Sequence, residues 1–292
     1  RPNILMFDDW DWREDRARQQ RQRLDDWLAR VRRPVVIEVG AGIAIPTVRH
    51  FGERVGGTFI RINPRDTQRP RKDALVLALG ALDGILLCAG LWLAIGAAGL
   101  AFPRRLSLMR GLLFPLGAIT GLALAACALT ALLGSPEARI LPIGLPDLPF
   151  HVRVDALSAF FLLLLGAAGA GISIYAAGYL RPGEGTAPGL HCLLYHLFLA
   201  SMVGVLVADD GYAFMVAWET MALTSFFLVT SEHRHAKIRR AGYLYLLIAH
   251  IGAVGILLSF GVMAGSTGDY TFDAMRDFAP TGIWPTLAFL LA

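Results

Sequence analysis

The chain has 292 residues, a mean hydropathy of +0.53 and a formal net charge of +4. The charge is divided: residues 1–72 hold 16 of the 27 Lys+Arg and 10 of the 23 Asp+Glu, so +6 sits on a short head and −2 on an apolar body. That division removes the pI near 9.2 as an argument for nucleic-acid binding, and the body is too apolar for a soluble domain. The three cysteines, Cys88, Cys127 and Cys192, lie inside apolar runs without CxxC or metal-ligand spacing, so they read as packing residues and no metal site is expected.

In the head, residues 8–33 are dense in Arg, Asp and Gln. Leu24, Trp27, Leu28 and Val31 recur there at i, i+3, i+4 and i+7, which predicts an amphipathic helix ended by Pro34. Residues 35–39, VVIEV, read as a buried parallel strand running into Gly40, Ala41 and Gly42. A helix near 47–54 and a strand over 58–63 follow, giving a small partial Rossmann-like α/β segment. A GxG alone is a weak nucleotide signal, and a strand–turn–helix without a ligand fits the same residues.

Together RPNILMF at 1–7, VVIEVGAGIAIPTVRHF at 35–51 and FIRINPRD at 59–66 resemble the C-terminal part of sirtuin-family NAD-dependent deacylases. The resemblance implies NAD contacts at Gly40, Gly42 and Asn63. The family's catalytic His and zinc cysteines would fall before Arg1, so no deacylase activity is expected of 1–72.

A basic joint at 67–72, TQRPRK, leads into the body, residues 73–292. Six apolar runs there are long enough to cross a bilayer: 74–102, 112–133, 156–178, 190–208, 211–230 and 241–264, with a seventh starting near 281 and cut at Ala292. The fold class expected is therefore an all-α polytopic membrane protein of six transmembrane helices plus a truncated seventh. Arg104, Arg105, Arg110, Arg181, Arg234, Lys237, Arg239 and Arg240 fall in loops on one side, against Arg139, Arg153 and Arg276 on the other. The positive-inside rule makes the first side cytoplasmic.

Glu219 lies near the middle of the fifth run, GYAFMVAWETMALTSFFLVT, nine residues from Asp210 and eleven from Thr230. A carboxylate at that depth costs several kcal/mol unless it has a partner or water, which makes it a functional candidate. The other ionisable groups read at membrane depth are Asp83, His191, His196 and His250, His191 being close enough to a run's end to reach the interface. A lone membrane His is often only hydrogen-bonded across helices. With Glu219, however, His196 and His250 supply what a proton relay needs. The residues one turn from Glu219 cannot pair with it, Thr220 and Thr224 offer only hydroxyls, and His250 on the next run is the best partner.

The segments ADDGYAFMVAWETMALTSFFLVTSEHRH at 208–235 and IRRAGYLYLLIAHIGA at 238–253 resemble the antiporter-like membrane subunits of complex I. Within that family they are most similar to the large membrane subunit of hydrogenase-4 and formate hydrogenlyase complexes. VRVDALSAFFLLLLG at 152–166 and YAAGYL at 175–180 fit the same subfamily. The resemblance implies that Glu219 belongs to proton-translocation machinery coupled to a Lys on a seventh helix, which would lie beyond Ala292. It departs from complex I relatives where Tyr243, Leu244 and Tyr245 replace an expected Lys.

The expectation is a fragment of a proton-translocating subunit of a hydrogenase-4, formate hydrogenlyase or NADH-quinone oxidoreductase type complex. It would sit in a bacterial inner membrane among other membrane subunits, with no redox cofactor bound by the body and no nucleic-acid partner. The rival within transport is a multisubunit Na⁺/H⁺ antiporter subunit. The rival from another class is an NAD-binding, sirtuin-like remnant fused to a membrane segment.

Overall fold

The computed structural model describes residues 15–43, 46–63, 66–77, 80–180, 186–265, 268–277 and 281–292. RPNILMF, the first part of the helix expected from residue 8, and Arg181 lie outside them. The chain forms two compact units, Arg1–Leu79 and Gly80–Ala292.

In the first unit, α1 (Asp15–Leu28) buries none of its residues, and its apolar stripe stays open, with Trp27 54% exposed. Strands β1 (Val35–Val39), β2 (Thr58–Ile62) and β3 (Leu75–Leu77) form one parallel sheet in that order, and α2 (Thr47–Arg54) is the crossover between the first two. Register runs from Val35 opposite Thr58 to Val39 opposite Ile62, and from Ile60 opposite Leu75 to Ile62 opposite Leu77. Phe59 is fully buried beneath α2. Arg61, 1% exposed, is held by Glu38 (Nη2 to Oε2, 3.0 Å) and by Glu53 (Nη2 to Oε1, 2.7 Å). The hydrogen bond from Arg61 holds the Glu53 carboxyl below the ordinary carboxylate range. Strand β3 corrects the hydropathy reading. Its Leu-Val-Leu is apolar enough to look like the start of a span but pairs with β2 instead.

The second unit is mainly helical. Helix α3 (Ala81–Ala101) starts seven residues later than the first span was expected to. Next come the short α4 (Leu106–Leu108), a π-helical turn (Met109–Leu113) and α5 (Phe114–Leu132), which together make one span, Leu106–Leu132. Pro115 has no N–H to give the Gly111 carbonyl, and the Phe114 N–H reaches back to Met109 O, widening the turn. Strands β4 (Glu137–Leu145) and β5 (Leu148–Val154) form an antiparallel hairpin. Helices α6 (Ala156–Tyr179), α7 (Pro188–Val207), α8 (Gly211–Val229) and α9 (Ala236–Ala264) complete six helices long and apolar enough to cross a membrane. Two short helices follow, α10 (Phe272–Asp277) and α11 (Trp284–Leu291), the latter packed on α9.

The core lies among α3, α5, α6 and α7 and includes Trp92, Phe114, Leu124, Leu162 and Val203. Helices α5 and α6 approach backbone to backbone. A Cβ on Gly121 would lie 2.8 Å from Gly166 O, and one on Gly166 would lie 2.6 Å from Gly121 O. Such small-residue contacts bring membrane helices together where no hydrophobic force distinguishes helix from lipid. Helix α8 packs on α7, and α9 packs on α8 from outside.

Candidate functional site: a carboxylate and an imidazole across two spans

Helix α8 begins at Asp210, whose carboxylate accepts the Ala213 N–H at 2.6 Å and caps the first turn. From that start Glu219 falls in mid-helix. Helix α9 runs antiparallel beside it, and three contacts fix the pairing: Glu219 with His250, Ser225 with Tyr245, and Thr230 with Gly242.

The Glu219 Oε2 to His250 Nε2 separation is 3.6 Å. His250 Nδ1 lies 2.9 Å from the Leu246 carbonyl oxygen, which can only accept, so Nδ1 carries hydrogen. In the neutral ring Nε2 is then a lone pair aimed at the carboxyl group. A carboxyl oxygen and an imidazole nitrogen thus face each other across the α8–α9 seam. Their side chains are 35% and 49% exposed, so the pair opens sideways out of the bundle. Thr220 and Thr224 donate to Val216 O and Thr220 O on their own helix, which leaves them no hydroxyl hydrogen for Glu219.

The remaining expected residues fall elsewhere. His196 is fully buried in the core. Its Nδ1 donates to Cys192 O at 2.8 Å, while its Nε2 has no hydrogen-bond partner and rests where a side chain on Gly117 would stand. Phe114 and Tyr195 flank its ring. Among the described residues no hydrogen bond or ion pair joins His196 to Glu219. Asp83 is not deep in a span. It is the third residue of α3, accepts the Gly80 N–H at 3.2 Å, and pairs with Arg139 of the hairpin at 3.0 Å. Reading the span from residue 74 displaced this boundary and made a helix-start carboxylate look intramembrane. His191 lies in the first turn of α7.

In the first unit, Gly40 adopts φ 65° and turns the chain out of β1. Asn63, 5% exposed, donates from Nδ2 to Ala41 O at 3.1 Å and accepts the Asp66 N–H at 2.8 Å. The amide expected to meet NAD therefore ties two loops together, and Gly42 has no neighbour within reach of a Cβ. Among the described residues no group of His, Cys, Asp or Glu could hold a metal ion.

Sequence reasoning missed the polar end of the bundle around the hairpin. Arg153 on β5 reaches Asp209 (2.7 Å) and Asp273 (3.2 Å), and His151 Nδ1 lies 3.5 Å from the fully buried Asp210. The available signal was local: Asp155 and Asp210 each stand directly before a helix, and each caps it.

A helical bundle of six membrane-length spans, with an ionisable pair facing across two of them, defines a multi-pass membrane protein with a polar site at membrane depth. Residues 208–291, which hold that pair, match the family described as NADH:quinone oxidoreductase/Mrp antiporter, transmembrane. The chain is 36% identical over 141 residues to hydrogenase-4 component B of Escherichia coli K12, covering 48% of this chain and 21% of that protein. It is 27% identical over 125 residues to the putative antiporter subunit mnhA2 of Staphylococcus epidermidis, covering 43% and 16%. The Mrp complex from Dietzia sp. DQ12-45-1b shares the fold with a TM-score of 0.58 at 24% identity, over 71% of this chain and 22% of that one. An archaeal membrane-bound sulfane sulfur reductase does so with a TM-score of 0.55 at 21% identity, over 73% and 32%. The chain spans about a fifth of the length of the hydrogenase-4 relative.

Proposed function

We propose that the chain is part of an antiporter-like, proton-translocating membrane subunit of a hydrogenase or quinone-oxidoreductase type complex. In this reading Glu219 and His250 pass a proton across the α8–α9 seam. The observation that carries the reading is the 3.6 Å pairing of two titratable groups from adjacent spans, inside the region that matches the family. Proton transfer needs a donor and an acceptor at near contact in a medium where neither can simply ionise into water. The His250 Nδ1–H bond supports this by keeping Nε2 turned to the carboxyl group.

Other membrane subunits of such an assembly are the partners in this proposal, and a bacterial inner membrane is its location, with the Arg234 to Arg240 loop on the cytoplasmic side. In this proposal the body carries no redox cofactor of its own. The other candidates do not join the pair: among the described residues His196 is enclosed in the core and Asp83 serves the start of α3. An antiporter subunit moving Na⁺ against H⁺ is the second reading, favoured by the similarity to mnhA2. The sirtuin-like, NAD-binding reading of 1–72 rests on its sequence resemblance alone.

Glu219→Gln keeps the shape and removes the titration. In membrane vesicles carrying the complete complex, proton transport is expected to fall at least ~100-fold with assembly unchanged, the low end of what a positioned acid–base group contributes. Wild-type transport by that variant would overturn the assignment.

A further inference from the structure

Helices α8 and α9 touch sparsely, and α9 in particular has little burial along its length. Their outer ends, by contrast, are bound into one assembly by three chain segments. Val152 bridges Ala208, and Asp210 bridges Thr271. The Asp209 N–H donates to His151 O at 2.8 Å, Gly211 N–H to Tyr270 O at 2.8 Å, and Phe272 N–H to Asp209 O at 3.0 Å. The two residues before α8 thus lie as a central strand between the hairpin and the loop that follows α9. Beneath them Phe214 of α8, Phe260 of α9 and Phe272 of α10 form a closed ring triad, with centroids 5.5 to 6.3 Å apart.

Across the top of this patch run the side-chain charges. Arg153 meets Asp209, ahead of α8, and Asp273, in the helix that follows α9. Arg276 meets the same two carboxylates but stands 3.9 Å from Asp209 and is 53% exposed, against 2.7 Å and 23% for Arg153. Coulomb attraction grows as distance and exposure fall, so Arg153 carries the larger part of the link.

We propose that Arg153, acting through Asp209 and Asp273, is the positioning residue that holds α8 and α9 in the register where Glu219 meets His250. The inference rests on the proposed role of that pair only for its functional meaning; the positioning itself is a matter of distance. A slip of one helical turn between the helices would carry Glu219 about 5 Å from His250 and end their contact.

The test is a distance measurement on the full chain in lipid bilayers, with the native cysteines replaced by alanine. Nitroxide labels on Val229→Cys and Leu257→Cys, both outward-facing, report the relative position of α8 and α9 by pulsed electron paramagnetic resonance. Arg153→Gln is expected to broaden the distance distribution by about one helical turn, ~5 Å, and Arg153→Lys, which keeps the charge, to restore it. A second label pair, Leu122→Cys and Ile172→Cys on α5 and α6, should keep its wild-type distribution in both variants. An unchanged α8–α9 distribution in Arg153→Gln would overturn the proposal. So would equal broadening by Gln and Lys, or broadening at the α5–α6 pair, since each marks a general folding role. Unimpaired transport by Glu219→Gln would remove the proposed function and leave the distance result standing.

Discussion

The inner helices and the α8–α9 pair are built on different principles, although all are long and apolar enough to cross a membrane. Nine of the 20 residues of α7 are buried inside the bundle, against four of the 29 in α9. The inner helices are held by close backbone approach, Gly121 against Gly166, and by a continuous apolar core. The outer pair is held by a few polar and aromatic contacts and by an ion network at one end. A tightly packed helix pair resists movement and excludes polar groups. A loosely packed one can carry a carboxylate and an imidazole and let them exchange a proton. Within this chain the candidate pair lies on the less buried helices, joined at one end by the ion network around Arg153.

The largest effect should come from breaking the inner principle. A side chain at Gly166 would overlap Gly121 O and Ala125 N at 2.6 and 2.7 Å, all backbone. Gly166→Leu is expected to cost about 3 kcal/mol, at the upper end of overpacking penalties, and thermal unfolding in detergent would register it as a much lower midpoint. A wild-type midpoint would mean that α5 and α6 are free to move apart.

The outer principle should break more gently. Ser225→Ala removes the hydroxyl contact with Tyr245 and is expected to cost about 0.6 kcal/mol, a typical value for a polar contact between membrane helices. Chemical denaturation should show that small loss without a change in cooperativity. A loss as large as that at Gly166 would erase the distinction between the two regions.

The smallest effect is one of pH at the outer end. Burial, helped by the neighbouring Asp273, holds the Asp209 carboxyl above the ordinary carboxylate range, with Arg153 opposing. Because the folded chain holds this proton more tightly than the unfolded one, the residue's contribution is full below the unfolded value of ~3.9. It is lost as pH rises through the folded value. Asp209→Asn should therefore flatten the dependence of the unfolding midpoint on pH between the acid range and neutrality, read from melts across that range. An unaltered slope would assign the dependence to other groups.

Much of this was legible from the residues. Six runs of membrane length became six spans because hydropathy over about twenty residues is a strong signal. Strand 35–39 and helix 47–54 formed where an apolar run and glycine placed them, but β1 is not buried as expected, with Val35 60% and Ile37 62% exposed. The pairing of Glu219 with His250 followed from a carboxylate that needed a partner and a single titratable group on the next span. What stayed hidden was either short or distant. The three residues of β3 are apolar like the span after them, and only pairing with β2 separates the two. In the hairpin, Pro142, Pro146 and Pro149 interrupt the alternation that would mark its strands. Arg153 and Asp273 are 120 residues apart, and no local pattern announces their meeting.

The carboxylate of Glu137 on β4 accepts the first two N–H groups of α3, Ala81 at 3.2 Å and Leu82 at 3.1 Å, from 56 and 55 residues further along the chain. During synthesis the opening turn of the first span therefore waits for its acceptor until the second span has also been made. Until then those amides keep their hydrogen bonds only by remaining at the water boundary, because hydrocarbon offers none.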